Sequence, residues 1–111
     1  GAYVFCSVKE SSPELLAQAL GTFKEKEGLT LILEKEIADR HQLTYDFIAA
    51  WIRLDIHSAL DAVGLTAAFS NALGKAHISC NVIAAYYHDH IFVQTEKATK
   101  AMDALNEFRE V

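Results

Sequence analysis

Trp51-Ile52-Arg53-Leu54-Asp55-Ile56-His57, followed by Ser58-Ala-Leu-Asp-Ala-Val-Gly-Leu65, is the stretch whose reading decides the fold. Ile52, Leu54 and Ile56 alternate with Arg53, Asp55 and His57, the period of two that marks a strand with one buried face. After Ser58 the period changes. Leu65, Ala68, Phe69, Ala72, Leu73 and Ala76 recur at helical spacing and form an apolar stripe suited to resting on a sheet. The join, Ser58 to Gly64, contains a glycine without a Cβ, which lets another molecule or backbone come close. A helix opening after such a turn presents N–H groups with no intrahelical partner at the positive end of its dipole, and so attracts a carboxylate or phosphate. The plainer reading is that Ser58 or Asp61 caps the helix and nothing else binds.

Working outward, Ile78, Cys80, Val82, Ala84 and Tyr86 alternate with Ser79, Asn81, Ile83, Ala85 and Tyr87. Both sets become apolar toward the end, which predicts a strand covered on both faces. His88-Asp89-His90 reads as a turn, closed by Asp89 with the histidines packed on Tyr86 or Tyr87, and Ile91 to Val93 as the returning strand. Thr95 is placed to cap a last helix, Glu96 to Arg109, whose buried stripe is Ala98, Ala101, Met102, Leu105 and Phe108.

Ser58-Ala-Leu-Asp-Ala-Val-Gly-Leu-Thr-Ala67, with Ile78-Ser-Cys-Asn-Val-Ile83 and Ala85-Tyr-Tyr-His-Asp-His-Ile-Phe-Val93, resembles the ACT domain family. More narrowly, it is similar to a group of small bacterial tandem-ACT proteins and to the tandem-ACT arginine sensors of animal cells. The resemblance implies an α+β, ferredoxin-like ACT fold, with two βαββα-type units packed together and antiparallel sheets covered by helices. It also implies a regulatory module that binds a small effector, often a free amino acid, where units pair. Carried over residue by residue, Ser58, Leu60, Asp61, Val63, Gly64 and Leu65 of the turn hold the effector's carboxylate or amino group. Asn81, Val82 and Ile83 of a facing strand supply backbone contacts.

The N-terminal half repeats the element order. Ala2 to Val8 is an apolar run of strand length whose abrupt start suggests a chain extending further upstream. Ser12-Pro13-Glu14 opens a helix, Leu15, Leu16, Ala19 and Leu20 form its stripe, and Gly21 is suited to end it in a left-handed conformation. Thr22 to Lys26 and Leu29 to Leu33 flank Glu27-Gly28, a two-residue hairpin turn, and Phe23 faces away from Thr22, Lys24 and Lys26 as on an edge strand. The Lys24-Glu-Lys-Glu27 run is a solvated face, with a grip on a cationic ligand by Glu25 and Glu27 as the alternative. Glu34 to Gln42 sets Ile37, Ala38 and His41 on one helical side, and Tyr45, Phe47 and Ile48 make the join to Trp51 too apolar for a loose linker. Two domains follow, an ACT-like half over residues 1–46 and an ACT domain over residues 47–111. The first is too small to be stable alone.

Composition narrows the function classes. With 111 residues, 51% of them apolar, the chain can bury a core without disulfides. Net charge is −5 and evenly spread: residues 1–46 hold five Lys/Arg against eight Asp/Glu, residues 47–111 five against seven. Nucleic-acid binding therefore lacks its main electrostatic attraction. No run reaches the roughly 20 apolar residues of a membrane span, and Gly1 to Val8 lacks the basic region of a signal peptide. Cys6 and Cys80, without CxxC spacing, read as reduced and buried, which points to the cytoplasm.

Enzyme signatures such as GxSxG, HExxH or a glycine-rich phosphate loop are missing from the sequence, so no catalytic role, metal or cofactor is assigned. His88 and His90 around Asp89 suit a metal by residue type, but His41, His57 and His77 lie at unrelated spacings. The expected function is a regulatory amino-acid sensor that forms a homo-oligomer by sheet or helix pairing. The alternatives are a protein-interaction module with no small ligand, and a small metal-dependent enzyme using His88 and His90.

Overall fold

The computed structural model describes the backbone of residues 1–54 and 62–109, and the side chains of these except 62–68 and 107–109. The chain forms two compact units, Gly1–Ala49 and Ala50–Val111.

In the first unit, β1 (Ala2–Val8), α1 (Pro13–Gln18), β2 (Gly21–Lys24), β3 (Leu29–Glu34) and α2 (Lys35–Arg40) follow one another. The strands lie in the order β2-β3-β1. β3 is antiparallel to both neighbours, with Cys6 opposite Leu31 and Thr22 opposite Leu31 from the other side. Val4, Cys6, Leu31 and Leu33 turn the same face to the helices, where Leu15 of α1 and Ala38 of α2 complete the core. Leu43 and Tyr45 pack against that core and Phe47 stacks on Phe5 at 5.8 Å, so the segment after α2 is bound to its unit.

Ser12 caps α1 as expected, its Oγ accepting from the Leu15 N–H at 3.1 Å. Three expectations shift. α1 ends at Gln18 with Ala19 in extended conformation, so Gly21 is no cap; it is the first residue of β2. The hairpin loop lies one residue earlier, at Lys26-Glu27, closed by Glu25 N–H to Gly28 O at 2.9 Å and Gly28 N–H to Glu25 O at 3.2 Å. Gly28 serves a different need: a Cβ there would stand 2.8 Å from the Val8 carbonyl oxygen. α2 stops at Arg40, leaving His41 exposed; Gln42 then takes a left-handed φ of 58° and Leu43 N–H bonds Ala38 O.

The second unit runs β4 (Ala49–Leu54), α3 (Ala62–Lys75), β5 (Cys80–Ala84), β6 (Asp89–Gln94), a 3₁₀ turn (Thr95–Lys97) and α4 (Ala98–Arg109). β6 lies between β4 and β5. Ala50, Ile52 and Leu54 of β4 and Ile91 and Val93 of β6 meet Phe69 and Leu73 of α3 and Ala101 and Leu105 of α4. The alternation read from Trp51 to Leu54 is the alternation observed. α3 ends at a left-handed His77, φ 61°, with Ile78 N–H returning to Leu73 O at 3.0 Å.

Four expectations are corrected here. Thr95 begins a 3₁₀ turn and the helix itself starts at Ala98. Met102 is 42% exposed, because the stripe centres on Ala101 and Leu105 and places 102 about 100° round the helix. The strand expected to be covered on both faces ends at Ala84, at the end of its sheet, and Tyr86 and Tyr87 are 92% and 73% exposed. His90 lies within β6, and the tight turn is Ala85 to His88, closed by Ala85 N–H to His88 O at 3.0 Å. Asp89 is a strand residue opposite Ala84.

Candidate functional site

Of the turn residues expected to hold an effector, Ser58, Leu60 and Asp61 lie outside the described residues. Val63, Gly64 and Leu65 fall within the first turn of α3, which begins at Ala62. A start three residues earlier than the apolar stripe suggests puts the Val63 and Gly64 amides among the first four of the helix, which have no intrahelical acceptor, while Leu65 lies far enough in for its N–H to join the helix ladder. The helix dipole adds its positive end there, so the opening is suited to a carboxylate.

Asn81, Val82 and Ile83 occupy the middle of β5, opposite Phe92, Ile91 and His90. Val82 faces the helices and packs on the core, and Asn81 is exposed on the other side. β6 separates β5 from β4, the strand that leads toward the turn.

The histidines have partners that the sequence does not reveal. Trp51 Nε1–H donates to His90 Nδ1 at 2.9 Å, so the proton of the neutral imidazole sits on Nε2. In that form neither ring nitrogen has a lone pair to give a metal, which weighs against the metal-enzyme alternative. His88 lies edge-on to His90 at 6.5 Å and packs near Tyr87 at the same centroid distance. Among the described residues no group of three or more His, Cys, Asp or Glu is placed to hold a metal ion.

One recess was not foreseen. In the first unit Gly1, Ala2, Glu34, Lys35, Glu36 and Asp39 line an open cavity of about 470 Å³. Its charges are largely engaged with each other: Lys35 Nζ meets Asp39 Oδ2 at 2.7 Å, Tyr45 hydroxyl donates to Asp39 Oδ1 at 2.8 Å, and Arg40 reaches Glu36 at 3.4 Å. The Lys35 hydrogen bond, followed by that of Tyr45, holds the Asp39 carboxyl below the usual carboxylate range, and the same Asp39 contact raises Lys35. The Lys35 and Asp39 spacing of i,i+4 was visible in the sequence; the reach of Tyr45 back to Asp39 was not.

Glu25 accepts from the Thr30 hydroxyl, and the Glu27 carbonyl accepts from Lys9 Nζ at 2.8 Å, so the Lys24 to Glu27 run is used within the hairpin. Cys6 and Cys80 are both free thiols. Burial pushes both upward, helped at Cys6 by the Asp39 carboxylate, and so suppresses the thiolate needed for redox or metal chemistry. No helix among the described residues is long and apolar enough to cross a membrane.

Two successive units of strand, helix, hairpin and helix, each with helices on its sheet, define a tandem ferredoxin-like fold. Residues 1–50 and residues 47–107 each match the ACT domain. The chain belongs to the ACT domain family, whose members are generally regulatory modules that bind amino acids. No curated protein matches it. Among solved structures, a Vibrio cholerae protein of unknown function, described with a suggested transport role, is 51% identical over 97% of this chain and 84% of its own, with a TM-score of 0.88. An Agobacterium tumefaciens protein shares the fold at 20% identity, covering 96% of this chain and 82% of its own, TM-score 0.72. A C-terminal regulatory domain of aspartate kinase from Porphyromonas gingivalis shares it at 18% identity, 96% and 90% coverage, TM-score 0.60.

Proposed function

We propose that this protein is an amino-acid sensor of the ACT type. A free amino acid, or a similar small carboxylate, is held by the opening of α3, by Ser58, Leu60, Asp61, Val63, Gly64 and Leu65, with Asn81, Val82 and Ile83 contributed from a neighbouring unit's β5. The observation that carries this reading is the start of α3 at Ala62, which leaves the amides of Val63 and Gly64 as donors in a chain of this family. The protein acts as a regulator rather than a catalyst and works as a homo-oligomer. Its two free thiols, Cys6 buried and Cys80 half-buried, suit the reducing conditions of the cytoplasm.

A thermal-shift series with the common amino acids tests the sensing role. An effector at 100 times its Kd adds roughly 2.7 kcal/mol to the stability of the folded protein. A shift with one or a few amino acids, abolished by Gly64→Pro, is the expected result. An unchanged melting curve with every amino acid, measured on oligomeric protein, removes the proposal.

A further inference from the structure

Residues 41–48 join α2 to β4, and three side chains anchor them to the first unit. Leu43 and Tyr45 pack on its helix-side core. Phe47 stacks on Phe5, which alternates with Val4 and Cys6 in β1 and so lies on the other face of the sheet. The segment therefore passes from one face to the other, with His41, Gln42, Thr44, Asp46, Phe47 and Ile48 exposed along it. A stretch held by few buried side chains is the kind that opens while the rest of a fold stays closed.

Its start is strained. Gln42 has a left-handed φ of 58°, which an L-residue keeps only where neighbouring contacts impose it. One such contact is Leu43 N–H on Ala38 O at 2.9 Å. Three residues on, the Tyr45 hydroxyl donates to Asp39 Oδ1 at 2.8 Å, while Lys35 Nζ holds Oδ2 at 2.7 Å. The exposed Lys35–Asp39 pair contributes little by itself, but it fixes the carboxylate as an acceptor for Tyr45. Tyr45 thus holds the segment twice. Its ring adds to the core, and its hydroxyl ties the segment to α2. The core that Leu43 and Tyr45 pack against includes Cys6, 3% exposed. The Asp39 carboxylate acts on that thiol as well, adding to the upward push of burial.

We infer that residues 41–48 are a strap that opens and closes on the first unit, with Gln42 as its hinge and the Tyr45–Asp39 hydrogen bond as its latch, and that opening admits reagents to the Cys6 thiol while the sheet stays folded. The strap leads directly into Ala49, the first residue of β4, so what it holds or releases is the lead into the second unit. Cys6 is its reporter and needs no redox partner. The strap does not depend on which effector binds.

Maleimide labelling followed by mass spectrometry, in a Cys80→Ser parent where Cys6 is the only thiol, tests the strap. Tyr45→Phe keeps the ring and removes the latch. It is expected to label about two- to ten-fold faster than the parent, the ratio that corresponds to one lost hydrogen bond, with the far-ultraviolet circular dichroism unchanged. Gly28→Ala weakens the same unit away from the strap and is expected to label at the parent rate, because strap opening bypasses global unfolding. In hydrogen–deuterium exchange the Leu43 amide should exchange faster in Y45F while the β3 amides keep their rates. Y45F labelling at the parent rate, a G28A rate raised as much as that of Y45F, or a Leu43 amide unchanged in Y45F each overturns the assignment.

Discussion

His77 holds a left-handed φ of 61° at the end of α3, a conformation that costs an L-residue about 1–2 kcal/mol. Glycine avoids that cost but loses about 0.5–1 kcal/mol of chain entropy on folding. His77→Gly is therefore expected to raise stability by several tenths of a kcal/mol to about 1 kcal/mol, seen as a higher urea midpoint at unchanged slope. Trp51, the only tryptophan, reports on His90 directly. His90→Leu takes away the Nδ1 acceptor of the indole N–H while keeping an apolar side chain at the position. Tryptophan fluorescence should change in His90→Leu and less in His90→Gln, whose amide oxygen can accept the same bond; an unchanged spectrum in His90→Leu would show that the indole is not held by His90. At Asp39 the sign follows from its lowered folded-state pKa. Its contribution is present above the unfolded carboxylate range and is lost as pH falls through the folded value. Asp39→Asn should thus lower stability at neutral pH and match the wild type in strong acid.

At the scale of elements, Gly28 shows how a correct motif can carry the wrong reason. The hairpin was legible from glycine between two apolar runs, yet the loop residues are Lys26 and Glu27, and Gly28 is needed because β1 passes so close. Gly28→Ala must push a Cβ away from the Val8 carbonyl at 2.8 Å, and a loss of about 1–3 kcal/mol is expected by thermal denaturation. Strands and helices whose apolar period is regular, such as Trp51 to Leu54 and Phe69 to Leu73, could be read from local order alone. Phe23 and Tyr86 could not. Phe23 is 71% exposed because Thr22 shares the face of Leu31, and Tyr86 is exposed because β5 ends two residues earlier. Hydrophobic character says that a side chain gains by burial; strand register and strand length decide whether it is buried. The same limit applies to the candidate site: the helix was legible in the stripe from Leu65, but its start at Ala62, which takes in Gly64, was not, and the separation of β5 from β4 by β6 depends on strand order, which periodicity does not encode.

For the whole molecule, the proposed homo-oligomer would set charge against pairing, and the balance can be measured. Each copy carries −5 at neutral pH, so bringing two together is opposed by repulsion between the copies. Salt screens that repulsion over a Debye length of about 10 Å at 0.1 M. A joint held by backbone hydrogen bonds or apolar burial gains nothing from ionic attraction that salt could weaken. Raising salt from low to moderate concentration should therefore strengthen association, seen as a lower dissociation constant in sedimentation equilibrium and a melting temperature more dependent on protein concentration. An oligomer held instead by complementary ion pairs would dissociate as salt is added. That result would place the contact between copies on the charged surfaces of the molecule.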